Sequence, residues 1–450
     1  MPTPQPIPFF SAVPRFASGG GDTPRDLLER CLARLAEFEP AVGAFVCHDI
    51  EAAQAAADRA TGRWRSGRPL SPIDGMPVGI KDIIETVGMP TGQGSPLWDG
   101  TRTGRDAASA AALREAGAVI LGKTVTTEFA SSEPLGATRN PWDLARTPGG
   151  SSSGSAAAVG CGMVPAALGT QVVGSIIRPA SFCGCVGYKP SVGAINRGGS
   201  YDYFSQSCTG LLAASLEDAW LVATAIAARV GGDPGYPGLQ GPPEPPLPTR
   251  PRRFALLETS GWAVASPEAR AALEAATARL TTAGVDIASR RDDPDLAALE
   301  TAIADAEPLV RRINAWEGRW PLNTYRKIDG TKLSRAALER LEMAEGMTLA
   351  DYGAAIARRR DIRAQFAALA NSYDGAVTLP ATGPAPLGLE STGNPVFAVP
   401  FSMLGVPAVS LPVLSVEGLP LGLQVVGFEG GDARLFAVAA WVRDLLQAQG

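Results

Sequence analysis

Histidine is almost missing from this chain: His48 is the only one among 450 residues. It stands in Phe45-Val46-Cys47-His48-Asp49-Ile50, just ahead of an alanine-rich segment that reads as a helix, so a surface or helix-capping role suits it. A Ser-His-Asp or Cys-His nucleophile therefore lacks its base. Cysteine is sparse too. Cys31, Cys47, Cys161, Cys183, Cys185 and Cys208 contain no CxxC pair, which argues against a disulfide framework or a thiol-built zinc site. They read as small core side chains and free thiols in a reducing, cytoplasmic setting. Positive charge is not in excess either: the formal net charge of −5 speaks against a broad nucleic-acid surface.

Long apolar runs are also wanting. One segment, Ser155 to Ile177, carries no charge and is long enough to span a bilayer. It is rich in glycine and small residues, includes Pro165, Thr170, Gln171 and Ser175, and lacks the leucine and phenylalanine density of a lipid-facing helix. It reads as a buried loop–helix–loop, and no membrane contact is expected. The opening MPTPQPIPFF has no basic stretch before its apolar residues, so no signal peptide is expected.

What is present is a large globular chain with 45% hydrophobic and 19% charged residues, enough for an extensive core. Thr23-Pro24 opens a helix with Leu28, Cys31, Leu32 and Leu35 on one face, and a second helix covers Ile50 to about Arg65. From Pro77 short apolar strands alternate with helices, as in the helix from Asp106 to Ala116, the stop at Gly117 and the strand from Ala118 to Leu121. Ser215 caps a helix reaching about Arg229, and eight prolines then fall between Pro234 and Pro251, a surface connection. Phe254 to Leu257 resumes a strand, Ser266-Pro267 opens a helix that stops at Gly284, and residues 295–372 are mostly helical. Sheet-like runs return at Ala408 to Val413 and Gly422 to Gly427, before a final helix. This alternation predicts an α/β fold: a large mixed β-sheet with helices on both faces.

With histidine unavailable, lysine is the remaining base for a serine nucleophile, provided burial keeps it neutral. Lys81 follows the apolar run Met76 to Ile80, so its stem should enter the interior; an ordinary ion pair with Asp82 is the competing reading. Gly149-Gly150-Ser151-Ser152-Ser153-Gly154 precedes an apolar helix and suits a tight active-site turn. It contains no lysine and no GxxxxGK[ST] pattern, which weakens a phosphate-loop reading.

These pieces resemble the amidase signature hydrolases over nearly the full length. The matching segments are Pro77-Val78-Gly79-Ile80-Lys81-Asp82, Gly122-Lys123-Thr124, Glu128-Phe129-Ala130 and Arg139-Asn140-Pro141-Trp142-Asp143. They continue with Pro148-Gly149-Gly150-Ser151-Ser152, Gly174-Ser175, Arg178-Pro179-Ala180-Ser181 and Gly187-Tyr188-Lys189-Pro190, then Gly405-Val406-Pro407-Ala408 and the run Gly418 to Gln424. The resemblance implies one domain over 1–450: an N-terminal helical part (1–70), a catalytic signature region (71–230), a variable substrate-shaping region (231–380) and a C-terminal part of the core sheet (381–450). It implies a Ser-cisSer-Lys triad of Ser175, Ser151 and Lys81. Ser152 would orient the lysine, and the backbone N–H groups of Val172, Val173, Gly174 and Ser175 would form the oxyanion hole. No metal and no organic cofactor is implied. The expected partner is a small-molecule amide, and the chain is compatible with a homodimer.

The chain departs from the family's Asp-x-Gly-Gly-Ser-x-Arg pattern. It has Gln171 for the acid, Val173 for a glycine and Arg178 one position late, so that both charges of the pattern are lost together. Val173 should narrow the backbone angles of the turn. Ser153 replaces a usual glycine, and the SLDT-like segment has become Ser205-Gln206-Ser207-Cys208-Thr209-Gly210. The leading reading is an amidohydrolase that forms an acyl-enzyme on Ser175. The alternatives are an amidase-like subunit of a tRNA-dependent amidotransferase and a non-catalytic member. An amide, an anilide, a urea-like compound and an acyl hydrazide all remain open as substrates. Trp316, Trp320, Tyr325 and Tyr352 are expected in core packing, with a pocket-lining role as the other choice, and Arg178 is available to a substrate carboxylate.

Overall fold

The computed structural model describes residues 2–18, 21–131 and 136–448. Its centre is an eleven-stranded mixed sheet of β1 (Phe45–His48), β2 (Pro77–Lys81), β3 (Val119–Thr124), β4 (Ala166–Gln171), β5 (Val186–Lys189), β6 (Cys208–Ala213), β7 (Arg253–Leu256), β8 (Asp286–Ala288), β9 (Gly375–Thr378), β10 (Ala408–Val416) and β11 (Leu419–Val426). The spatial order is β1-β3-β2-β4-β6-β5-β10-β11-β9-β7-β8. The strands on either side of the proline-rich segment thus belong to one sheet.

Successive strand residues point to opposite faces, and here both faces are covered. Val78, Ile80, Ile120, Leu168 and Leu211 join one core with the helices Leu216–Val230, Pro267–Thr282 and Asp432–Gln447. Val119, Leu121, Ala167 and Leu212 join a second with Pro24–Val42, Ile50–Arg65 and Ser153–Gly160. A third core, around Ala255, Ala376, Ala408 and Val426, packs the helices Pro294–Ile303, Ala306–Asp329 and Leu349–Ala368. Burial on both sides explains why the inner strands read as short continuous apolar runs rather than alternating ones.

Several local expectations hold. Thr23, Ser215 and Ser266 each accept a backbone N–H at their helix starts. The helix expected from Asp106 begins at Ala108. His48 is exposed in the edge strand β1, and the helix cap beside it is Asp49, which accepts from Ala52. The segment Ser155 to Ile177 is a correction: it is helix, then strand, then turn, because Ala166–Gln171 forms β4 between β2 and β6. Small residues are used there for close approach. A Cβ on Gly169 would lie 2.9 Å from Ser152 Oγ, and one on Gly154 would lie 2.1 Å from the Ala44 carbonyl. No helix among the described residues is long and apolar enough to cross a membrane.

Candidate active site

β2 and β4 run parallel with Ile80 opposite Leu168, so their C-terminal ends bring Lys81 and Thr170 to one level of the sheet. Lys81 is fully buried and closes an entirely buried strand. Its Nζ lies 2.7 Å from Ser151 Oγ, 2.9 Å from Thr170 Oγ1 and 3.5 Å from the Thr170 carbonyl. Burial lowers its proton affinity from the ordinary amine range to about 7, against the opposing pull of Asp202. Asp202 is itself buried, which pushes its carboxyl upward, while the Ser207 hydroxyl, Arg197 and Lys81 oppose that rise. The ion pair with Asp82 expected as the competing reading goes to another lysine. Lys123 Nζ stands 3.2 Å from Asp82 and donates to Ile84, Pro90 and Thr91. Asp82 is thereby occupied without touching Lys81.

Ser151 follows a cis peptide bond after Gly150 and is completely buried. Ser152 is in the same loop but does not reach the lysine. Its hydroxyl donates to the Thr170 carbonyl at 3.3 Å, and its N–H donates to the Ser175 carbonyl at 3.3 Å. Thr170 thus occupies the place expected for Ser152 beside Nζ, since the strand end projects its hydroxyl at the amine while Ser152 leans onto Gly169.

Ser175 lies in the turn between β4 and the helix Ile177–Cys183. Gln171 braces this turn. Its Oε1 accepts the N–H groups of Ile176 at 2.8 Å and Ile177 at 3.0 Å, and its Nε2 donates to Ser402 Oγ at 3.0 Å. A neutral amide can accept and donate at once, and Ile177 beside it is wholly buried in apolar surroundings. The joint loss of both charges therefore leaves no stranded ion at these two positions. Val173 does not have a positive φ, so the expected narrowing costs nothing here. Gly174 sits where room is short: a Cβ would lie 3.2 Å from Ala398 and 3.3 Å from both Arg178 Nη1 and Pro395, so a neighbour would have to give by a few tenths of an ångström.

The carbonyls of the turn are tied down. Gln206 Nε2 donates to the Val172 carbonyl at 2.9 Å, and Ser402 Oγ donates to the Val173 carbonyl at 2.8 Å. In a trans peptide the N–H points away from its C=O, so these two bonds orient the N–H groups of Val173 and Gly174 in the opposite direction.

Val172, Val173, Ser175 and Arg178 line a cavity of about 640 Å³. Its other wall comes from the helices Ala306–Asp329 and Arg335–Glu345, through Glu307, Val310, Arg311, Asn314, Glu339, Arg340 and Met343, and from the loop 391–395. The aromatics of the middle region are not in it. Tyr325 packs on Trp98 and Phe129, while Trp316, Trp320 and Tyr352 line a separate surface groove in which Trp316 and Tyr352 stack at 5.6 Å. Among the described residues no group of three or more histidine, cysteine, aspartate or glutamate side chains is placed to hold a metal ion.

Thr170, Asp202, Gln206 and Ser402 are thus neighbours of this site to which the sequence assigns no role. Thr170 precedes Gln171 at a strand end and Gln206 stands in the altered SLDT-like segment, which are the signals that point to them; Asp202 and Ser402 reach the site only through the fold.

The family model of the amidases matches residues 26–436. A glutamyl-tRNA(Gln) amidotransferase subunit of Chloroflexus aggregans is 34% identical over 95% of this chain and 94% of its own. Among solved structures, a 6-aminohexanoate cyclic dimer hydrolase superposes with a TM-score of 0.82 at 25% identity over 98% of this chain and 97% of its own. The peptide amidase of Stenotrophomonas maltophilia does so with a TM-score of 0.76 at 27% identity over 96% and 95%.

Proposed function

The chain belongs to the amidase family, and from that premise we propose that it hydrolyses a carboxylic amide or related C–N bond through an acyl-enzyme on Ser175. The observation that carries this reading is the contact of buried Lys81 with Ser151 at 2.7 Å, next to a cavity lined by Ser175. In the neutral amine Nζ has a lone pair, so Ser151 donates its hydroxyl proton to Lys81 while taking the proton of Ser175. The Ser175 oxygen attacks the carbonyl carbon, and the carbonyl oxygen becomes an oxyanion facing the N–H groups of Val172, Val173, Gly174 and Ser175. Removing one such donor costs typically about 10²–10³ in rate. The relay then runs backward: Lys81 returns its proton through Ser151 to the departing amine. Water attacks the acyl-enzyme by the same proton path, releasing the acid and restoring Ser175.

The test is release of acid and of ammonia or amine from a panel of primary amides, anilides, ureas and acyl hydrazides, with Ser175→Ala as control. Turnover of one class that the variant lacks supports the assignment; equal turnover in the variant ends it. The relatives named as amidotransferase subunits favour a second reading, a subunit that passes ammonia to a partner. That reading requires a protein that co-purifies with the chain and raises its activity. The free cysteines suit a reducing, cytoplasmic setting for either.

A further inference from the structure

Gln206 donates to the Val172 carbonyl, but its side-chain amide has a second end, and the residue is wholly buried. Its Oε1 therefore needs a positive neighbour inside the protein. Arg359, itself only 7% exposed, supplies one: Nη1 stands 3.5 Å from Gln206 Oε1 and donates to Ser205 Oγ at 2.8 Å. The first distance is at the outer limit of a hydrogen bond, so the attraction is chiefly that of a cation for the amide dipole. Reversing the amide would set Oε1 against the Val172 carbonyl and turn two N–H groups toward the guanidinium, two repulsions at once.

The arginine is in turn held. Ser205 Oγ accepts from Arg359 and donates to Glu317 Oε1, and the Ser205 N–H donates to Glu317 Oε2 at 2.7 Å. The Tyr352 hydroxyl donates to Glu317 Oε1 at 2.9 Å. A hydroxyl accepts and donates together, so the carboxylate and the guanidinium are joined through one oxygen. Glu317 lies on the helix Ala306–Asp329, while Tyr352 and Arg359 lie on Leu349–Ala368. Glu317 and Tyr352 line the surface groove, and neither they nor Arg359 line the cavity. A tie that served only to join the two helices would be complete with Glu317 and Tyr352. This one continues through Ser205 to the side chain that fixes the turn beside Ser175. Ser205 and Gln206 both lie in the altered SLDT-like segment, so the arrangement belongs to this chain's own variation.

We propose that Glu317 and Arg359 are positioning residues for catalysis: through Ser205 they fix the orientation of the Gln206 amide, and through it the Val172–Val173 peptide. The Val173 N–H is then aimed before the oxyanion forms, and the middle region sets the rate without touching the substrate. This rests on the hydrolase reading above and on its oxyanion hole.

The experiment is a double-mutant cycle of Arg359→Met with Gln206→Ala, read by kcat and KM on the amide that the panel identifies and by calorimetric binding of phenylboronic acid. That acid adds to Ser175 as a tetrahedral boronate, one oxygen of which takes the place of the oxyanion. Arg359→Met should lower kcat about 3- to 10-fold, less than the loss of a donor, with KM changed by less than about twofold. Boronate binding should weaken by a similar factor. In the Gln206→Ala background the same substitution should cost less than about twofold more, because its effect passes through Gln206. An equal loss in both backgrounds marks an arginine that only supports the fold and overturns the proposal, as does a loss confined to KM. Should Arg359→Met not fold, Ser205→Ala takes its place in the cycle; it removes the bridging hydroxyl, and an effect that persists in full without Gln206 overturns the proposal equally. If no amide in the panel is turned over, the boronate cycle decides by itself. A wild type that neither hydrolyses an amide nor binds the boronate at Ser175 ends the hydrolase reading and this proposal with it. Turnover that needs Ser175 but shows an additive cycle leaves the hydrolase standing and removes only the positioning role.

Discussion

The Lys81 ammonium must lose its proton before the relay can begin, so the pH profile of kcat/KM is the most direct probe of the site. With its proton affinity lowered to about 7, the amine is neutral in about one-tenth of molecules at pH 6 and about nine-tenths at pH 8. The profile should therefore climb nearly tenfold between those values and then level. An unshifted amine near 10.5 would be neutral in only about one molecule in 3,000 at pH 7, so burial enlarges the competent fraction by about 10³. Part of that gain is offset, since a weaker base takes the proton less eagerly. Asp202 opposes the shift by favouring the charged amine. Asp202→Asn removes that pull, and its rising limb should move to lower pH. Stability carries the same signature. Between about 7 and 10.5 the folded chain binds fewer protons at Lys81 than the unfolded one, so stability from this group rises with pH across that window. Lys81→Met should flatten the rise in chemical-denaturation curves taken at several pH values. A kcat/KM that is flat between about pH 5.5 and 8.5, or a limb that Asp202→Asn leaves in place, would refute the reasoning.

Other perturbations test neighbouring parts. Ser175→Ala should lower kcat by about 10⁴-fold or more with an unchanged melting temperature. Lys81→Ala should lose more activity at neutral than at high pH, where hydroxide partly replaces the base, and a pH-independent defect would mark a structural lysine. Gln206→Ala and Ser402→Ala each free a carbonyl of the Val172–Val173 turn and should lower kcat about tenfold with little change in KM; an effect confined to KM would speak against the oxyanion assignment. Gln171→Leu strands the N–H groups of Ile176 and Ile177, so denaturant unfolding should show a loss of about 2–4 kcal/mol.

Strands whose residues are large and apolar, such as β3 and β10–β11, are legible because burial on both faces writes a continuous signal into the sequence. β4 is not. Its Ala-Ala-Leu-Gly-Thr-Gln carries little strand propensity, because close packing under the Ser151–Ser152 loop admits only small side chains. Lys81 can be singled out because a cation ending an apolar run must either find a partner or lose its charge. Its partner cannot be read: the contact with Ser151 spans 70 residues, and local spacing says nothing about which hydroxyl of a serine-rich loop turns inward. Motif position puts Ser152 beside the amine, and the strand end delivers Thr170 instead.

By itself, then, the sequence determined the alternation of strands and helices, the family and the residues eligible for a histidine-free base and nucleophile, since these follow from composition, periodicity and short motifs. Only the tertiary structure decided that the middle-region aromatics lie outside the cavity, that Gln206 and Ser402 orient the turn, and that Arg178 is buried without an anion among the described residues. Those facts depend on which distant segments converge on the ends of β2 and β4, and on how much water the convergence excludes. Neither quantity is encoded in any local stretch of chain.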